Sequence, residues 1–151
     1  MHCIVLHGGP RLTRTTTSLR LDDELRERLA TLAETEGTSV TSLVERFLRE
    51  GLTVAEYPGI VFKPGPNGRR AALAGGPDVW EIASALRQTS GTEAERIAAL
   101  AQEFGVHERQ VVIALNYAAA NEEEIEARVR ANDEALEKAE RVAIGRQRLL
   151  A

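Results

Sequence analysis

The segment TTTSLRLDDEL, residues 15–25, carries the first clear structural signal in the chain. Apolar and polar side chains alternate up to Leu21, and this period of two predicts a β-strand. From Asp22 onward leucines recur at helical spacing, and Asp22 itself suits the cap of a helix. The segment therefore predicts a short strand that leads directly into a helix. The polar face of that strand carries Thr16, Ser18 and Arg20.

Two helices are predicted after this strand. The first ends at Gly37, and the second begins at Thr38 or Ser39 and ends at Gly51. Residues 14–52 are therefore expected to fold as strand, helix, helix, with residues 1–13 ahead of them as a flexible arm. The apolar faces are formed by Leu25, Leu29, Leu32 and Ala33 in the first helix and by Leu43, Val44, Phe47 and Leu48 in the second.

A lone strand of this kind is incomplete, because it cannot satisfy its backbone hydrogen bonds or cover its leucines. Pairing with a second copy removes both problems, since two strands form an antiparallel ribbon across a two-fold axis and four helices supply the core. The sequence therefore predicts a homodimer. The side chains expected in the dimer core are Leu19, Leu21, Leu25, Leu29, Leu43 and Phe47.

The outer face of such a ribbon presents its polar side chains twice. A two-stranded ribbon fits the major groove of DNA, where hydroxyl groups reach base edges and arginine reaches guanine. The start of the second helix offers free N–H groups to a phosphate. The alternative is an edge strand in an ordinary α+β domain. The expected base contacts are Thr16, Ser18 and Arg20, and the expected phosphate contacts are Arg14, Ser39 and Thr41.

The stretch TTTSLRLDDELRERLATLAETEGTSVTSLVERFLREGL resembles the ribbon-helix-helix (CopG/Arc/MetJ-like) fold. The matching features are the alternating strand, the DDEL helix start, the glycine before TSVTSLV and the closing REGL. They cover about a quarter of the chain, and Thr38 departs from the apolar residue usual in the family. The resemblance implies an obligate dimer that reads DNA through its strand.

The middle of the chain predicts a second, smaller domain over residues 57–120. Residues 60–63 and 69–73 flank the turn sequence PGPNG and predict a β-hairpin. Helices are expected at 78–87, 93–103 and 107–120, and the last two match a helix-turn-helix in their apolar and small positions. Trp80 is interpreted as a core anchor rather than a ligand platform.

The second helix of this helix-turn-helix does not look like a DNA reader. Its outward positions include Glu108, Val112 and Ile113, which suit protein contact better than phosphates or base edges. A plain packing unit of three helices with no surface role is the alternative.

Residues 121–151 predict a C-terminal helix with a thin apolar stripe. Ile125, Val129 and Leu136 belong to this stripe, which Asn132 and Arg146 interrupt. Such a helix gains little from packing on its own domain and can order on a partner. The alternative is a solvated helix packed on the preceding three. The complete set of predicted partner-binding residues is Val112, Ile113, Ile125, Val129 and Leu136.

Residues 57–130 are also similar to a small antitoxin-like domain of bacterial toxin–antitoxin operons, through YPGIVF, NGRRAAL, GPDVWEI and LNYAAANEEEIE. Together with the N-terminal resemblance, this identifies the chain with VapB-type antitoxins. The resemblance implies a PIN-like ribonuclease toxin as the cognate partner.

The remaining chemistry is sparse. One cysteine rules out a disulfide within the chain, and the histidines lie far apart without zinc-type spacing. We expect no enzyme, no cofactor and no metal. The net charge of −4 argues against a general basic coat, and neither a signal peptide nor a membrane span is indicated. A cytoplasmic protein is expected.

The sequence therefore predicts a mainly α fold with a short β ribbon: a ribbon-helix-helix dimer, a hairpin and helix-turn-helix domain, and a C-terminal helix. The leading functional hypothesis is an antitoxin that binds operator DNA, represses its own operon and neutralises a toxin. The alternatives are a stand-alone transcriptional regulator with an effector-sensing C-terminal domain and a scaffold protein without DNA binding.

Overall fold

The structure of the chain, a computed structural model, describes residues 20–65 and 68–150. This part is mainly helical and contains one small antiparallel sheet, in agreement with the predicted class. The chain divides into two compact units after Val44. The elements are α1 Asp23–Glu36, α2 Val40–Glu56, β1 Ile60–Lys63, β2 Arg70–Leu73, α3 Val79–Leu86, α4 Glu93–Phe104, α5 Glu108–Ala120 and α6 Glu122–Leu150.

The described part of the N-terminal unit is built on α1 and the first turn of α2. Asp22 caps α1, because its carboxylate accepts a hydrogen bond of 2.8 Å from the Leu25 N–H. Gly37 ends the helix in the left-handed conformation, with φ of 63°. Both predictions are confirmed. The core of the unit consists of Leu29, Ala33 and Leu43, with Leu21, Leu32 and Val44 packed against it.

The predicted strand of residues 15–21 lies mostly outside the described residues. Its last two residues, Arg20 and Leu21, belong to neither a helix nor a strand. The sheet that the structure describes is therefore the predicted hairpin, and the predicted ribbon stays a prediction.

The prediction that α2 ends at Gly51 is wrong, because the helix continues to Glu56. Glycine inside a helix costs about 1 kcal/mol relative to alanine, but it does not force an end. The helical hydrogen bonds continue as far as Tyr57, whose N–H donates to the Thr53 carbonyl at 2.8 Å. The next residue is Pro58, and the residue before a proline is disfavoured in helical conformation.

In the C-terminal unit, the predicted β-hairpin is confirmed. β1 pairs antiparallel with β2, from Ile60 opposite Leu73 to Lys63 opposite Arg70. The Arg69 side chain ties the hairpin to the end of α2, since its guanidinium donates to both Glu50 carboxylate oxygens, at 2.5 and 3.0 Å. The same guanidinium donates to the Phe62 carbonyl at 2.9 Å.

Helices α3, α4 and α5 build the main core of this unit, as their predicted spans indicate. Thr92 and Glu95 form a capping box at α4, and Gly105 ends that helix in the left-handed conformation. The Tyr57 and Tyr117 rings meet edge to face at 5.4 Å between centroids. The buried side chains are Ile60, Ala71, Leu73, Val79, Ile82, Leu100, Ala101, Val111, Ala114, Tyr117 and Ile125.

The side chains of the long helix α6 are partly buried near its start and exposed along the rest of its length. Its first part is packed, since Ile125 and Val129 are buried. From Asp133 to Leu150 every side chain is exposed except that of Ala143, which is half-buried. Among the helices that the structure describes, none is long and apolar enough to cross a membrane.

Candidate nucleic-acid and partner surfaces

Most of the predicted DNA-reading residues lie outside the described residues, namely Arg14, Thr16 and Ser18, together with Leu19 of the predicted dimer core. Arg20 is described and its side chain is exposed. Its neighbour Leu21 is half-buried and packs on the cluster of Leu29, Ala33 and Leu43. Arg20 is therefore more exposed than Leu21, as expected if Arg20 lies on the outer face of a strand and Leu21 on the inner face.

The start of α2 has the chemistry expected of a phosphate contact. The Ser39 hydroxyl accepts a hydrogen bond of 3.1 Å from the Ser42 N–H and so caps the helix. Thr41 is exposed in the first turn, and that turn contains no acidic residue. The positive end of the helix dipole is therefore not neutralised by a local carboxylate.

The predicted dimer-core residues differ in burial within a single chain. Leu29 and Leu43 are buried, at 7% and 0% exposure, and Leu21 is half-buried. Leu25 and Phe47 are exposed, at 39% and 41%. On α2, the Arg46 guanidinium lies 5.2 Å from the centroid of the Phe47 ring. Side chains that a second copy would cover are expected to be exposed when one chain is considered alone.

The predicted partner-binding residues fall into two groups. Val112 on α5 and Leu136 on α6 are exposed, and Ile113 is half-buried. Ile125 and Val129 are buried within their own unit, at 4% and 1% exposure. As long as the first part of α6 stays packed, a partner reaches Val112 and Leu136 but not Ile125 or Val129.

Ionisable groups in the C-terminal unit are held by specific partners. Arg87 pairs with Glu126, and the hydrogen bond between them raises the pKa of Arg87 and lowers that of Glu126. Hydrogen bonds from the Thr92 backbone N–H and hydroxyl lower the pKa of the Glu95 carboxyl. Burial raises the pKa of Tyr117 to about 12, and the nearby Glu124 carboxylate adds to the effect.

A cavity of about 600 Å³ lies between the hairpin, the start of α3 and the middle of α6. The indole of Trp80 forms one wall, and three alanines spaced four residues apart on α6 form the other. These alanines are Ala127, Ala131 and Ala135.

The polar groups at this cavity form a connected set. Arg70 pairs with Asp78, whose carboxylate also accepts a hydrogen bond of 3.2 Å from the Trp80 indole N–H. Arg128 pairs with Glu124 at 3.2 Å and donates to the Arg69 carbonyl.

Sequence reasoning missed this cavity, because its walls come from segments far apart in the chain. Trp80 was expected in the core, and it does pack against the core while also lining the cavity. A local signal that could have pointed here is the alanine spacing on α6, but this spacing by itself is typical of any tightly packed helix.

A scan against protein-family models, a search of curated proteins and a search of solved structures each found no match to this chain.

Proposed function

We propose that the chain is the antitoxin of a type II toxin–antitoxin pair. As a homodimer it binds operator DNA through its N-terminal unit and represses its own operon. Through its C-terminal half it neutralises a PIN-like ribonuclease toxin. The proposal rests on the sequence resemblance to VapB-type antitoxins and on the contrast between the two units.

The observation that carries the dimer is the small core of the N-terminal unit. Only Leu29, Ala33 and Leu43 are buried among its described residues, while Leu25 and Val40 remain exposed. A unit of this size needs oligomerisation, a metal or a disulfide to be stable. A second copy that pairs with the predicted strand and covers these leucines supplies the missing core.

DNA contact by such a dimer is supported by two features. Arg20 is an exposed cation next to the half-buried Leu21. Arginine is the side chain best suited to contact guanine in the major groove. The start of α2 presents Ser39 and Thr41 with no acidic residue in the first turn. The first feature supplies base reading, and the second supplies a phosphate contact.

Partner contact is supported by the exposed apolar residues of the acidic C-terminal half. Val112 and Leu136 are exposed, at 38% and 62%. Residues 121–151 contain eight acidic and six basic side chains, a net charge of −2. An acidic surface complements the cleft of a ribonuclease, because such a cleft is positively charged to bind the RNA backbone.

The experiment is expression of the full chain, tagged, together with the genes that flank its own. We expect a small ribonuclease to copurify and the purified complex to retard DNA from upstream of the gene. Arg20→Ala should weaken this retardation, whereas Arg26→Ala, an exposed arginine on α1, serves as the matched control. Copurification of no second protein would contradict the antitoxin proposal while leaving DNA binding open.

The cavity favours a second candidate function, a stand-alone regulator with an effector-sensing C-terminal domain. A space of about 600 Å³ with an aromatic wall and a few polar groups is within the usual range of ligand sites. In that case a small molecule alters DNA affinity and no toxin is needed. Retardation of the same DNA with and without candidate effectors separates the two functions.

A further inference from the structure

We propose that the cavity between the hairpin, α3 and α6 binds a cationic group on an aliphatic stem, such as the side chain of arginine or lysine. The proposal names a ligand class for the cavity that the second candidate function uses, and it depends on neither DNA binding nor a toxin. Three properties of the cavity carry the inference: its aromatic wall, its alanine wall and the balance of its charges.

The aromatic wall is held in a fixed orientation. The Trp80 indole N–H donates to Asp78, and Asp78 is 7% exposed and caps α3. This hydrogen bond restricts the orientation of the ring, which lines the cavity. Tryptophan is the aromatic side chain that attracts cations most strongly, through the negative face of its π system.

The alanine wall leaves room for a hydrocarbon stem. Ala127, Ala131 and Ala135 follow one another at a spacing of four residues, so they share one face of α6. Because these side chains are short, a ligand can lie against the helix without displacing a larger residue. Lysine and arginine stems pack well against such apolar surface while the charged head stays near polar groups.

The charges at the cavity leave one carboxylate without a cation. Arg70 is paired with Asp78, and Arg128 is paired with Glu124. Glu81 also lines the cavity, and none of the described cations lies within ion-pair distance of it. Three acids against two arginines give the lining a net charge of −1.

Glu81 is positioned by the fold rather than by a counterion. One of its carboxylate oxygens accepts a hydrogen bond of 2.7 Å from the Asp78 N–H, as part of the capping box of α3. Asn132 also lines the cavity, and its side chain makes no hydrogen bond to another described residue. A carboxylate and a free amide oxygen are suitable acceptors for a guanidinium or ammonium group.

The same features weigh against other occupants. An anion at Arg70 or Arg128 would compete with the carboxylate that already pairs with each guanidinium, in a lining whose net charge is negative. A hard metal ion requires several oxygen ligands, and the tryptophan and the three alanines supply none. An organic cation uses both the apolar walls and the acceptors.

The test uses the full chain, because Trp80 is its only tryptophan and lines this cavity, so that its emission responds to binding there. The probes are N-acetyl-arginine amide and N-acetyl-lysine amide, with N-acetyl-citrulline amide as the neutral analogue of the first. We expect a saturable change of Trp80 emission with both cations and none with citrulline at the same concentrations. An equal response to citrulline, or preferential binding of acetate or phosphate, would overturn the proposal.

The source of the cation is distinguished by comparing the amino-acid amides with putrescine. Tighter binding of the amides supports a protein side chain, and tighter binding of putrescine supports a free diamine. Both results support a cation site, and the absence of any saturable response refutes it.

Two variants locate the site, with a matched control on the same helix. Glu81→Gln keeps an acceptor for the Asp78 N–H and removes the charge, so it should weaken binding by about fivefold, the effect of one partly exposed charge pair. Ala131→Gln places a larger side chain on the alanine wall, where the stem of the ligand would lie, and should abolish the response. Ala139→Gln, at an exposed position of α6 outside the cavity lining, should leave it unchanged.

The folded state of each variant is checked by circular dichroism. If Ala139→Gln abolished the response as fully as Ala131→Gln does, the ligand would not be in this cavity. If Glu81→Gln had no effect in a folded protein, the charge would not be the basis of recognition.

Discussion

The substitutions Val129→Ala and Leu136→Ala separate the two roles that α6 was expected to play. Both residues belong to the same apolar stripe, seven positions apart, and both were predicted to bind a partner. In the structure Val129 is 1% exposed and Leu136 is 62% exposed. Val129 therefore has the packing role, and of the two only Leu136 is exposed enough for the predicted contact with a partner.

The expected magnitudes follow from this burial. Val129→Ala removes two buried methyl-sized groups, worth about 0.8 kcal/mol each, and leaves a small cavity, so the cost is about 2 kcal/mol of unfolding free energy. Leu136→Ala removes an exposed side chain from a helix in which alanine is the better helix former. Its effect on stability should lie within about 0.5 kcal/mol.

Urea unfolding followed by Trp80 fluorescence measures both effects, because that residue lies in the C-terminal unit. Val129→Ala should lower the midpoint without a change of slope. Partner affinity, measured by pull-down of the copurified protein, should fall for Leu136→Ala and stay unchanged for Val129→Ala in conditions where both are folded. Loss of affinity without loss of stability for Val129→Ala would refute the packed arrangement of α6.

Three further results are expected. Arg20→Ala should weaken specific DNA binding by about 1–3 kcal/mol, and equal losses on operator and random DNA in gel shifts would show that Arg20 reads no base. Leu21→Asp should prevent folding of the N-terminal unit, because the charge would be placed against Leu29 and Leu43, and a folded monomer in sedimentation would contradict the dimer. Tyr117→Phe should reduce the loss of stability at high pH, with Tyr57→Phe as the control. Folding raises the pKa of Tyr117 from 10.0 to about 12. The stability that its neutral form contributes is therefore complete below pH 10 and is lost as the pH rises to 12. Denaturant unfolding at pH 10 and at pH 12 measures this loss.

The parts of the fold that were predictable are those fixed by short-range chemistry. Asp22 at a helix start, Gly37 at a helix end and a Pro- and Gly-rich turn between two apolar runs each determine local backbone geometry without help from distant residues. For this reason most of the helix spans and the hairpin could be predicted from the sequence. The roles of the DNA-contact and partner-binding residues remain predictions, and those ahead of Arg20 lie outside the described residues.

The parts that were not predictable depend on contacts between distant segments. Gly51 is a usual helix terminator, yet α2 passes through it, and the Glu50 carboxylate is held by Arg69 nineteen residues away. The stripe of α6 is continuous in sequence, but the helices that pack beside it, α3 and α5, decide where its buried part ends. The cavity has the same origin, because Trp80 and Ala131 are neighbours only in the folded unit.

The cavity and the exposed part of α6 are adjacent, and this has a consequence for regulation. Ala135 lines the cavity, and Leu136, the next residue, is exposed and is the proposed contact for a partner. We therefore expect binding at one position to affect binding at the other, and any coupling of affinities must be reciprocal. If the partner itself supplies the basic side chain, Ala131→Gln and Leu136→Ala should both weaken the complex, and free N-acetyl-arginine amide should compete with the partner. If the cation is a separate effector, Ala131→Gln should abolish its influence on the complex while leaving the affinity measured without effector unchanged.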